Sequence, residues 1–132
     1  MTKQHINPEA LYDSSVFGMS QAVIDTTSGL VFVSGQVDWN HQLEVSTSSV
    51  EDQLQNALKN LRTALEAAGS SVDQLLHVRV YIRGELGEHM RTASAIVPDF
   101  LGESRPAITA IGVASLASPE TLVEVEATAR VN

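Results

Sequence analysis

An α+β fold is predicted, with a single sheet and two helices packed on one of its faces, in the order β-β-α-β-α-β-β. Three observations carry it. Residues 122–131 alternate strictly, with Val123, Val125, Ala127, Ala129 and Val131 on one side and Leu122, Glu124, Glu126, Thr128 and Arg130 on the other. Period two over ten residues rich in Val and Thr is the pattern of a half-buried strand. Val50, Leu54, Ala57, Leu58, Leu61, Leu65 and Ala68 instead form an apolar stripe at helical spacing. A second alternating run, 76–83, and a second helical run, 87–101, then interleave with the first pair, so both helices can share one layer over the sheet.

Taken in order, residues 1–18 show no clear period, and His5-Ile6-Asn7-Pro8 reads as a candidate edge strand ended by proline. Residues 20–25 and 30–37 are short apolar strands around the turn cluster Thr26-Thr27-Ser28-Gly29, which makes them a hairpin. Residues 38–47 are polar and predict a loop. Ser48 and Glu51 have the spacing of a capping box opening the first helix, and Gly69 closes it. Residues 72–83 turn extended, with Leu76, Val78, Val80 and Ile82 alternating against His77, Arg79, Tyr81 and Arg83. In the second helix Pro98 has no N–H and should kink or restart the chain. Residues 102–105 connect to the closing strands.

The bulk numbers exclude several functions. A length of 132 residues suits one domain, 1–132, with a real core. Sixteen acids against eight Lys and Arg give a net charge of −8, so nucleic acid and anionic membrane surfaces are poor partners. No apolar run reaches the ~20 residues of a membrane span, and MTKQHINPEA lacks the apolar centre of a signal peptide. A cytoplasmic location is the expectation. Without cysteine there is no disulfide, thiolate nucleophile or thiolate metal site. His5, His41, His77 and His89 have no ligand spacing with one another, so no metal is expected. No Gly-x-Ser-x-Gly elbow points to a serine hydrolase. Trp39, in the polar loop, reads as packing over the core, with cleft lining as the alternative.

In this layer Val78, Val80, Val123 and Val125 face the helices, while Arg79, Tyr81, Arg83, Glu124 and Glu126 share the other face. That face is neither apolar nor uniformly charged. It is open to two readings: a solvated face with a few ion pairs, or a subunit interface in which several sheets close around an axis.

Ser20-Gln21-Ala22, Val33-Ser34-Gly35-Gln36, Arg105-Pro106-Ala107, Gly112-Val113-Ala114-Ser115-Leu116 and Val123-Glu124-Val125-Glu126-Ala127 stand in an order and spacing that resemble the Rid family of reactive intermediate deaminases, also called the YjgF or L-PSP endoribonuclease family. The resemblance runs from about Ser20 to Val131. It implies a chorismate-mutase-like fold and a homotrimer with small-molecule clefts between subunits. It also implies hydrolysis of 2-imino or enamine acids to 2-oxo acids and ammonia, without metal or cofactor. Glu124 matches the family's water-handling glutamate; its alternative is a surface acid paired with Arg79 or Arg83. Ser34 and Gly35 match the strand end that lines the cleft; the alternative is a plain strand terminus, with Gly35 admitting a close backbone approach.

Two positions depart from the family's pattern. Ile108 stands where the deaminases carry their carboxylate-binding arginine, and Met19 where they carry an aromatic, usually Tyr. Arg105 lies three residues before Ile108, an odd offset that on an extended chain faces the other side. Losing a charge-assisted bidentate contact costs about 2–5 kcal/mol, tens to thousands-fold in binding. The resemblance therefore implies a hydrolase of a small imine or enamine, with 2-imino acids an unfavoured class. A non-catalytic trimer binding a small apolar metabolite is the alternative. Ribonuclease action is the least favoured, for want of a basic, aromatic-interleaved stretch.

Overall fold

The computed structural model describes residues 2–132. Its strands are β1 (Lys3–Ile6), β2 (Ala22–Asp25), β3 (Leu30–Gln36), β4 (Leu75–Arg83), β5 (Ala107–Val113) and β6 (Val123–Arg130), and its helices α1 (Val50–Ala67) and α2 (Met90–Leu101). They form one mixed sheet in the order β1-β2-β3-β6-β4-β5. The chain order is thus β-β-β-α-β-α-β-β, one strand more than predicted, because the N-terminal edge segment does pair, with β2. β2 and β3 form the expected antiparallel hairpin.

β6 lies between β3 and β4 and is antiparallel to both. β3 and β4 therefore run the same way, and α1 must cross over β6 to join them, as α2 must join the parallel pair β4–β5. The apolar stripe of α1 explains its place: Leu54, Leu58, Leu61 and Leu65 are fully buried. Each such side chain contributes about 1.5–3 kcal/mol. They meet Val78, Val80, Val123 and Val125 in a single core that also takes Ala93, Val97 and Leu101 of α2.

Four local expectations need correction. The N-cap of α1 is Ser49, whose hydroxyl accepts from the Asp52 N–H, so the capping pair is one residue later than Ser48 and Glu51. The helix does stop at Gly69, left-handed at φ 73°, with the Ser70 N–H reaching back to the Leu65 carbonyl. Residues Val72–Gln74 form a 3₁₀ turn before β4, and the pairing slips between Leu75 and His77, which buries Leu75 and turns Leu76 outward. Finally, a 3₁₀ turn at Leu86–His89 precedes α2, and α2 continues through Pro98 to Leu101. No helix among the described residues is long and apolar enough to cross a membrane.

Candidate functional site: a cleft around Glu124

The site begins with a slip in the sheet. Val33 pairs with Ala127 and Gln36 with Val125, so β3 spends one more residue than β6 across this gap. The extra residue makes a bulge containing Ser34 and Gly35, which bends the strand and frees its backbone. The Ser34 N–H donates to the Gln21 carbonyl at 2.9 Å, and its hydroxyl to the Ser20 carbonyl at 2.6 Å.

Two buried glutamines hold the bulge from behind. Gln36 Nε2 donates to Gln21 Oε1 at 2.9 Å and to the Ser34 carbonyl at 3.1 Å. Gln21 Nε2 donates to the Tyr12 carbonyl at 2.9 Å. A buried amide must find partners, and these amides use theirs to tie the segment carrying Tyr12 to the bulge. Gln21 and Gln36 are therefore structural cross-links behind the cleft, which Ser34 and Gly35 border.

Glu124 projects from β6 over Gly35. An ideal Cβ on Gly35 would lie 2.5 Å from Glu124 Cδ, 2.7 Å from Oε2 and 2.9 Å from Cγ, so only glycine leaves room for this carboxyl. The Glu124 carboxylate accepts no hydrogen bond from the described residues. Arg83 is turned to the Pro119 carbonyl and the Tyr81 hydroxyl to Glu126, so neither ties Glu124 down. Partial burial, and then the charge of Glu126, push the Glu124 carboxyl above the ordinary glutamate range. A carboxyl so placed is a better base than an exposed one.

Glu124, Ser34, Gly35 and Met19 line one cleft of ≈ 410 Å³. Its other wall is aromatic. The Tyr12 and Trp39 rings lie 5.3 Å apart, and Phe17 sits 6.4 Å from each. Trp39 is held by its indole N–H, which donates to Thr121 Oγ1 at 3.0 Å, and by a bridge to Val45. It is half-buried and lines the cleft, the alternative considered for it, and it is not among the residues packed on the central core. Asp38, 5% exposed, organises this loop by accepting from Ser46, Thr47 and Asn56. The Tyr12 hydroxyl is shifted upward by burial, opposed by its hydrogen bond with Gln21 and reinforced by the charge of Glu124. Tyr12 and Phe17 lie in a segment without period, so no sequence signal marked them. Only tertiary packing brings them to Glu124.

Ile108 and Arg105 are not part of this cleft within the chain. Ile108 pairs in register with Val78, which places it on the helix side of β5. There it is half-exposed beside Met90, Val97 and Pro98 in a small apolar hollow. Arg105 is exposed and adopts a left-handed φ of 51°. The connector is thus bent at Arg105, and the facing argument for an extended chain does not apply to it. The histidines are scattered, and among the described residues no three His, Asp or Glu side chains converge as metal ligands.

A mixed sheet bearing two helices, with a bulged strand end packed against a glutamate that lines a cleft, defines a class of small α+β proteins. The chain belongs to the family described as Endoribonuclease L-PSP, whose model matches residues 13–131. It is 30% identical to a RutC family protein of Pyrococcus horikoshii over 111 residues, covering 83% of this chain and 84% of that one. It is 27% identical to a 2-iminobutanoate/2-iminopropanoate deaminase of Dermatophagoides farinae over 117 residues, 88% of each chain. Among solved structures, a protein of the conserved Rid family from Yersinia pestis superposes with a TM-score of 0.72 at 33% identity, covering 99% of this chain and 100% of that chain. The Rid resemblance read from the sequence is confirmed.

Proposed function

We propose that the protein hydrolyses small imines or enamines to carbonyl compounds and ammonia, with no metal or cofactor, in the cleft around Glu124. The observation that carries this reading is the partner-free, partly desolvated Glu124 carboxylate packed against Gly35. In this reading water adds to the carbon of the protonated imine as Glu124 takes a proton from that water. That proton passes to the nitrogen, the C–N bond breaks, ammonia leaves, and the remaining hydroxyl loses its proton to give the carbonyl. General-base assistance of this kind contributes about 10²–10⁴-fold. The deaminase relative from Dermatophagoides supports the reaction class.

The cleft is proposed to lie between subunits of a cytoplasmic homotrimer. The half-buried polar sheet face and the exposed apolar residues Phe32 and Ile108 support association. Ile108 would then face a neighbour's cleft in place of the family's arginine, and Met19 would line it in place of an aromatic. These two residues favour a second reading, a trimer that binds an apolar metabolite without turning it over. The −8 charge weighs against action on RNA. Hydrolysis of freshly generated 2-iminopropanoate and 2-iminobutanoate, with a no-protein control and a Glu124→Ala variant, separates the readings. Glu124-dependent acceleration supports the hydrolase; background rates with both acids and with a carboxylate-free imine leave only the binder. A monomer by light scattering at micromolar concentration removes the inter-subunit cleft.

A further inference from the structure

The cleft is asymmetric in charge and in surface. One side carries Glu124, which feels the charge of Glu126 beside it and whose own charge acts on the Tyr12 hydroxyl opposite. No Lys or Arg lines it among the described residues. The other side is three aromatic rings and Met19. Tyr12 is buried and fixed through Gln21, and Trp39 is fixed through Thr121, so the wall is built in advance of any ligand. Phe17 is 53% exposed at the mouth, although an isolated chain gains nothing by holding a phenyl ring in water.

We infer that this cleft selects protonated imines that carry an aromatic or bulky apolar substituent, and discriminates against imines bearing a carboxylate. A cation is drawn to the Glu124 carboxylate and to the faces of Tyr12, Phe17 and Trp39. A flat apolar substituent covers those rings and Met19. A second carboxylate brought near Glu124 meets like-charge repulsion in a partly desolvated space. The overall charge of −8 favours approach of a cation and opposes an anion in the same way.

The inference rests on the imine-hydrolase reading for its chemistry, yet its test reads binding alone. Trp39 is the chain's single tryptophan, so its fluorescence reports this cleft without ambiguity. Phenethylammonium is a stable stand-in for the protonated aromatic imine, and phenylacetate carries the same ring with the opposite charge. Titration of the intact protein should show phenethylammonium bound at least about ten-fold more tightly than phenylacetate. Glu124→Gln should bring the ratio to within about three-fold, and Phe17→Ala should weaken phenethylammonium by about three-fold or more. Equal or tighter binding of phenylacetate, or no phenethylammonium signal up to ~10 mM, overturns the inference. A parallel assay compares imines generated by oxidation of phenethylamine and of phenylalanine, which differ only in the carboxylate. Faster hydrolysis of the phenylalanine-derived imine overturns the selectivity while leaving the hydrolase in place. Hydrolysis of neither imine, with the binding preference intact, overturns the hydrolase and leaves the ligand class standing.

Discussion

Gly35→Ala isolates the geometry of the site from the stability of the fold. The new methyl would lie 2.5 Å from Glu124 Cδ and 2.7 Å from Oε2. Ordinary carbon contacts are about 3.5–4.0 Å, so the carboxyl must retreat by about 1 Å. The collision is with the far end of a side chain, not with backbone. Gly35 also lies outside the left-handed region, so alanine fits its backbone. Forcing Glu124 off its rotamer costs about 0.5–1.5 kcal/mol, and replacing glycine returns about 0.4–1 kcal/mol by restricting the unfolded chain. These nearly cancel, so the melting temperature should stay within a few degrees. A 1 Å displacement of the base costs about 10²-fold in rate, or about 2.7 kcal/mol of transition-state stabilisation. Imine hydrolysis by wild type and variant, beside thermal melts of both, gives the comparison. A variant within about three-fold of wild type in kcat/KM would refute the claim that the Glu124–Gly35 contact positions the base.

Three further outcomes are expected. Asp38→Ala strands the Ser46, Thr47 and Asn56 donors and should cost about 2–4 kcal/mol in chemical denaturation, with Trp39 emission moving to the red as its loop loosens. The acid limb of the rate profile should lie above the ordinary glutamate range, because burial and Glu126 raise Glu124 and the base is lost as pH falls through that raised value. By the same sign, ionised Glu124 weakens the fold at neutral pH, so a Glu124→Gln stability advantage there should shrink as pH falls through the raised value toward the ordinary one. An acid limb at the ordinary glutamate value, or an advantage that grows on acidification, contradicts this. Ile108→Arg should raise kcat/KM for 2-iminobutanoate by about ten-fold or more, read in a variant that keeps its oligomeric state; no change would mean that position 108 does not face the cleft.

The sheet was legible because its inner strands are periodic. Val123, Val125, Val78 and Val80 point inward as their alternation requires, and the stripe of α1 covers them. What escaped was local accounting: the cap at Ser49, the slip that turns Leu76 outward, and the 3₁₀ turns before β4 and α2. Such details depend on which of two adjacent residues wins a hydrogen bond, and composition leaves both open. Half of the cleft was readable as well. Gly35 in a strand pattern signals a close approach, and Glu124 supplies what approaches. The aromatic wall was not readable, since Tyr12 and Phe17 sit in an aperiodic segment tied to the bulge by buried glutamines. Within one chain Ile108 and Glu124 lie on opposite faces of the sheet, so a cleft shared by the two would need a second subunit.

The measurement that bears most directly on the account is ammonia release from freshly generated imines, one with a carboxylate and one without, by wild-type protein and by a Glu124→Gln variant that melts no lower than wild type. The account predicts acceleration over buffer for at least one imine, falling by about 10²–10⁴-fold when the carboxylate becomes an amide. Equal rates for wild type and Glu124→Gln would contradict it, and would leave the cleft a binding site whose glutamate performs no chemistry.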